Sequence, residues 1–233
     1  MNKILVIAVH PDDETLGCGG TLLKHKANGD EIHWLIATDI KESEGYGIST
    51  IKKRNKEITK IEDLYGFTSV NKLDLSTTKV DEYGMSELIT KISSVINKVK
   101  PDTIYLPFKG DVHSDHKYIF DAAYSCTKIF RYPFIKKIYM METLSETEFS
   151  LSTREDSFVP NVFVDISNHM NEKIEIMNTY KSEMGEHPFP RSERNIRALA
   201  TFRGATSNFD YAESFMLLKE IKQRNLTRES SKF

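Results

Sequence analysis

Residues 3–9 read KILVIAV, an unbroken apolar run after a single lysine, rich in β-branched side chains. A strand with one wet face alternates apolar and polar residues. A strand without a polar face is covered on both sides. The run is too short to span a bilayer, and no small-residue cleavage site comes after it. It predicts the first, interior strand of a mainly parallel sheet. The next residues are of the opposite character: His10-Pro11-Asp12-Asp13-Glu14, then Gly17, Gly19 and Gly20. Three carboxyls and an imidazole at the end of a buried strand are costly unless a cation compensates them.

The rest of the chain repeats the alternation of apolar runs and amphipathic stretches. Helices are predicted over 16–29, 50–66 and 85–100, the last stopped by Pro101; strands are predicted over 31–38, 69–74 and 102–108. Further on, 161–166 reads as a strand, 167–184 and 193–203 as helices, and 211–219 as a final strand. The order β-α-β-α implies an α/β fold with right-handed crossovers and helices on both faces of the sheet. Without a linker, repeat or low-complexity segment, residues 1–233 are expected to form one domain.

The composition is that of an ordinary soluble protein, with 28% charged residues and a formal net charge of −2. This argues against nucleic-acid binding and against a polybasic membrane surface. Cys18 and Cys126 form no CxxC pattern and are expected to be reduced thiols in a cytoplasmic protein.

In open parallel sheets, ligands bind beyond the carboxyl ends of the strands. The His10–Asp13 cluster lies there for the first strand, and Lys109–Lys117 (KGDVHSDHK) lies there for the strand ending at Phe108. Two polar clusters thus come from separate strands and open on one edge. His10, Asp13 and His116 make two imidazoles and one carboxylate, a set suited to a catalytic divalent metal with one open position. Zinc is the default, and Fe2+ or Co2+ would fit the same ligands. Asp12 is placed to take a proton from an activated water, His113 to stabilise an oxyanion or protonate a leaving amine, and Asp115 to orient an imidazole. Those groups are what amide hydrolysis requires. The same ligand set would serve a non-sugar amide or a phosphoester.

AVHPDDETLGCGGTL (8–22) and HSDH (113–116) together resemble the PIG-L/LmbE-like zinc-dependent N-deacetylases. The likeness extends to 54–67 and 202–215 and spans nearly the whole chain. It implies a Rossmann-like three-layer sandwich and removal of acetyl from an N-acetylglucosaminyl group. His10, Asp13 and His116 match the metal ligands, Asp12 the base, and His113 the residue that stabilises the tetrahedral intermediate. Arg54 matches an arginine associated with substrate, and Asp74 falls where the family tends to place an acid that grips sugar hydroxyls. The implied partner is a small N-acetylated amino-sugar conjugate, with a second copy of the chain as a further partner. YAESF (211–215) resembles the branch acting on the glucosaminyl-malate precursor of bacillithiol, but Glu183 stands where that branch usually shows a glutamine.

A dinucleotide-binding module that keeps the fold without catalysis is the rival reading of the glycines, with Asp39 as the ribose acid. The fingerprint fails in detail: its sixth position is Leu22, and carboxylates would repel a pyrophosphate. Close helix packing accounts for Gly17, Gly19 and Gly20 better. No G-x-S-x-G stretch supports a serine hydrolase. The polar, glycine-containing segment 41–47 is a candidate lid.

Overall fold

The computed structural model describes residues 1–151, 153 and 157–222. Seven strands, β1 (Lys3–Ala8), β2 (Glu31–Asp39), β3 (Ser69–Ser76), β4 (Thr103–Leu106), β5 (Lys137–Met141), β6 (Val162–Asp165) and β7 (Ala212–Glu220), join one sheet in the order β3-β2-β1-β4-β5-β7-β6. The first five strands run parallel; β7 is antiparallel to both β5 and β6. β1 is central, as its apolar run predicts. Residues Ile4, Val6 and Ala8 enter the core on one face, and Leu5, Ile7 and Val9 enter it on the other.

Helices cover both faces, giving three layers. α1 (Asp13–Ala27), α2 (Ile48–Tyr65), α5 (Met170–Met177) and α6 (Glu193–Ser207) pack on the first face; α3 (Met85–Val99) and α4 (Ser114–Ser125) pack on the second. α3 shows how pattern becomes packing. Leu88, Ile92, Val95, Ile96 and Val99 form its buried stripe, and Lys100 leaves the helix at φ 53° just before Pro101. No helix among the described residues is long and apolar enough to cross a membrane.

α1 is broken at Cys18, whose φ of −148° and ψ of 22° are not helical. The backbone groups freed by the break are met by a buried ion pair. Glu213 of β7 accepts from the N–H groups of Gly20 (2.9 Å) and Thr21 (2.7 Å), and Lys173 of α5 donates to the Leu16 carbonyl (2.9 Å) and to Glu213 (2.7 Å). The three glycines allow this close packing. A Cβ on Gly17 would lie 2.7 Å from Met141 Sδ, and one on Gly20 would lie 2.7 Å from Ile166 Cβ. Cys18 and Cys126 are both buried free thiols.

The helix expected over 167–184 needs correction, because it is shorter: a 3-10 turn (Ser167–His169) leads into α5, which ends at Met177. There Tyr180 turns inward, and its hydroxyl donates to Glu14 at 3.0 Å, which draws the residues after it toward the carboxyl edge of the sheet. β5 and the antiparallel placement of β7 had no sequence expectation. The last residues of the chain, 223–233, lie outside those described.

Candidate metal and catalytic site

The chain steps from β1 outward to β2 and β3, then crosses back to β4 on the other side of β1. The carboxyl ends of β1 and β4 thus flank a topological switch point, where open α/β sheets bind ligands. β1 delivers His10, Asp12 and Asp13 to that edge, and the loop after β4 delivers Asp111 and His113 with Asp115 and His116 on α4. The His10 and His116 ring centroids are 5.3 Å apart, and those of His10 and His113 are 4.7 Å apart.

His10, Asp13 and His116 each offer a ligand atom, all within 4.8 Å of one another. Asp13 is anchored by backbone: Oδ2 accepts from the N–H groups of Val9 (2.9 Å) and His10 (2.8 Å). His116 is fully buried; its Nδ1 meets Asp111 Oδ2 at 2.8 Å, and its Nε2 lies 3.4 Å from Asp13 Oδ2. Nε2 finds no hydrogen-bond partner among the described residues. A buried ring nitrogen left without a partner, facing a carboxylate, is what a cation between them would satisfy. The donor set therefore fits a divalent metal.

The electrostatics agree. Burial alone would raise the Asp13 pKa, yet His116 and His10 hold it well below the ordinary value. Burial alone would lower His116, but Asp13 and Asp111 hold it well above.

Asp12 precedes α1 with φ 138°, a region L residues seldom occupy, which marks a conformation imposed by its surroundings. Its N–H donates to Glu14 Oε2 at 3.1 Å, and its Oδ2 faces Arg191 Nη1 at 3.5 Å. Burial and the neighbouring Asp13 push its pKa well above the usual carboxylate range, against Arg191. His113 caps α4, with Nδ1 accepting the Asp115 N–H at 3.1 Å. Burial, then the charge of His10, lowers its pKa. Asp115 accepts from the N–H groups of Thr78 (2.7 Å) and Val80 (3.2 Å) and meets His10 Nε2 at 3.2 Å. The two acids beyond the trio thus divide the work: Asp115 holds His10, and Asp111 holds His116.

Of these residues, His10, Asp12, Asp13 and His113 line a cleft of about 1010 Å³ counted to its mouth. Arg54 reaches it from α2, with Nη1 donating to the Pro11 carbonyl at 2.9 Å. Asp74 is not brought there. It sits exposed on β3 at φ 53°, where the β2–β3 register shifts, and is not among the residues lining the cleft. Asp39, at the end of β2, does line it. So does Tyr46, from the segment read as a candidate lid.

Sequence reasoning missed Asp111, Glu146, Arg191 and the contact role of Glu183. Asp111 stands in the same short segment as HSDH and could have been weighed there. Glu146 lies past β5, which left no clear periodic trace; burial raises its pKa, and its Oε2 is buried without a partner among the described residues. Arg191 comes after a proline-rich loop with no motif around it.

A model of the GlcNAc-PI de-N-acetylase (PIG-L) family matches residues 5–127, which contain both polar clusters. The chain belongs to the PIG-L family. It is similar to the diacetylchitobiose deacetylase of Thermococcus kodakarensis, 26% identical over 230 residues that cover 95% of this chain and 85% of that protein. Among solved structures, a conserved protein of Thermus thermophilus superposes with a TM-score of 0.75 at 22% identity, covering 98% of this chain and 100% of its own. An inhibitor complex of N,N'-diacetylchitobiose deacetylase from Pyrococcus horikoshii gives 0.75 at 22%, covering 94% and 84%. These superpositions establish the Rossmann-like PIG-L fold.

Proposed function

We propose that the chain is a metal-dependent hydrolase that removes the N-acetyl group from an N-acetylglucosaminyl-type substrate, giving acetate and a free amino sugar. The observation that carries this reading is the convergence of His10, Asp13 and His116, with an orphaned buried nitrogen at its centre. Family membership and the deacetylase named above support it.

His10, Asp13 and His116 would hold the ion, and two imidazoles with one carboxylate suit Zn2+ best. When bound, the ion supplies Lewis acidity and an acidified water. Asp12 takes the proton of the attacking water. With a cation held beside it, the burial and the Asp13 charge that raise the Asp12 pKa would be offset, leaving its carboxylate available as base. Because Nδ1 of His113 accepts a backbone N–H, the ring proton resides on Nε2. A neutral ring, which the lowered pKa favours, then donates from Nε2 to the developing oxyanion. As the C–N bond breaks, Asp12 returns its proton to the leaving amine and acetate departs. Arg54, beside the Pro11 carbonyl, supports the turn that carries Asp12 and borders bound substrate. For Asp74 we retain only contact with a substrate portion extending past the cleft.

We read 1–233 as one domain, supported by all seven strands joining one sheet. We read its compartment as cytoplasmic, supported by two free thiols. The test is acetate release from a panel of N-acetylglucosaminyl conjugates, with free N-acetylglucosamine and an acetylated amino acid as controls. Release from at least one conjugate well above both controls is expected. Release only from the acetylated amino acid would refute the sugar reading.

A further inference from the structure

Beside the Asp12 turn stands a cluster that transfers no proton in the reaction. Glu183 lies between Arg54 and Arg191, all three lining the cleft. Its Oε1 accepts from Arg54 Nη2, its Oε2 accepts from Arg191 Nη2 at 3.2 Å, and its backbone carbonyl accepts from Arg191 Nε at 2.9 Å. The remaining guanidinium nitrogens are also engaged. Arg54 Nη1 donates to the Pro11 carbonyl, Arg54 Nε faces Glu57 at 3.5 Å, and Arg191 Nη1 faces Asp12 at 3.5 Å. Each nitrogen of both guanidinium groups thus already faces a protein oxygen.

Among the described residues, Arg54 and Arg191 are the arginines of the cleft lining, and no lysine lines it; Asp12, Asp13, Asp39, Glu146 and Glu183 give it five carboxyl groups. Two guanidiniums in a cleft would ordinarily mark an anion receptor. Here the receptor is filled from within. The side chains of Arg54, Glu183 and Arg191 are only 15%, 20% and 21% exposed, so solvent screens their charges little.

We propose that Glu183 is a specificity-determining residue which, by occupying Arg54 and Arg191, restricts the cleft to N-acetylglucosaminyl conjugates whose second moiety is uncharged. The inference rests on the deacetylase reading of the same site. A carboxylate on the conjugate must either displace Glu183 from both arginines or settle beside Glu183 and Asp12, and each course places like charges together in a poorly screened pocket. A hydroxyl needs neither: it donates to a free lone pair of Glu183 or accepts an unused N–H of the arginines, with the cluster intact. Discrimination of this kind works by repelling the wrong partner as well as by attracting the right one.

The test compares two glycosides that differ by one oxygen atom and a charge, the 2-hydroxyethyl and the carboxymethyl N-acetylglucosaminides, with the full metal-loaded chain. The expected wild-type kcat/KM favours the hydroxyethyl compound at least tenfold, chiefly through KM. In Glu183→Gln, which keeps the shape and removes the charge, the carboxymethyl-to-hydroxyethyl ratio should rise at least tenfold. A wild-type ratio near one, or in favour of the carboxymethyl compound, overturns the inference and leaves the deacetylase reading standing. So does an active Glu183→Gln with an unmoved ratio. Should that variant be inactive on both, the wild-type ratio decides. Release of acetate from neither glycoside by the wild type, nor from any conjugate of the panel above, overturns the deacetylase reading itself.

Discussion

Asp12 and His116 sit within one constellation and are asked to do different things. Asp12 is fixed by an unusual backbone and by Glu14 and Arg191, not by His10, Asp13 or His116. Asp12→Ala should keep its metal and lose activity by about 10²–10⁴-fold, whereas His116→Ala should lose the metal; metal analysis alongside acetate release separates the two. Full activity in Asp12→Ala would end its assignment as base. Glu14, behind Asp12, is a different case. Burial raises its pKa from 4.5 to about 7, although Thr15, the Asp12 N–H and Tyr180 hydrogen-bond to it. The folded chain thus keeps this proton to higher pH than the unfolded chain does. Its contribution favours the fold below about pH 4.5, fades as pH rises toward about 7, and is a standing cost above that. In chelator-treated protein, the stability of Glu14→Gln relative to wild type should therefore improve by about 2–3 kcal/mol between pH 5 and pH 8. Denaturant unfolding at the two pH values checks this, and a constant difference would contradict it.

At the scale of elements, the break in α1 is the feature most exposed to test. Lys173 and Glu213 are buried, and between them they satisfy the Leu16 carbonyl and two N–H groups. Glu213→Ala strands a buried ammonium and both donors, so a loss of about 3–5 kcal/mol is expected in denaturant unfolding. A loss under ~1 kcal/mol would mean that the pair is not needed to hold the helix. What sequence reasoning reached obeys the same physics. β1, β2 and α3 carry strong periodic or unbroken apolar signals and were legible; so were the two clusters at strand ends. β5 is five residues long, opens on lysine and reads KIYMM, too short to show a period. The end of α5 was hidden because Tyr180 bonds to Glu14, 166 residues away. Glu213 carries no local mark either, since its partners belong to α1 and α5. In the site itself, the convergence of His10, Asp13 and His116 was legible from their motifs, while Asp111, Arg191 and Glu183 make contacts that only folding brings together. Asp74, placed from a loose local likeness, faces solvent instead.

For the molecule as a whole, the sheet order turns a sequence separation of about a hundred residues into contact. β1 and β4 are neighbours, so His10 and His116 meet at the one switch point of the parallel region. Helices on both faces leave that edge open, and the cleft there carries more acid than base. This arrangement suits a cation and a neutral sugar better than a free anion. The fold alone does not dictate hydrolysis, since one fold serves many reactions; the site does. The central claim is that two distant segments build one metal-dependent hydrolytic centre. Titrating chelator-treated protein with Zn2+ while measuring acetate release from a responsive N-acetylglucosaminyl conjugate tests it most directly. Activity should rise from near zero and break at about one ion per chain. Undiminished acetate release in the fully stripped protein, or no release at any loading, would contradict it.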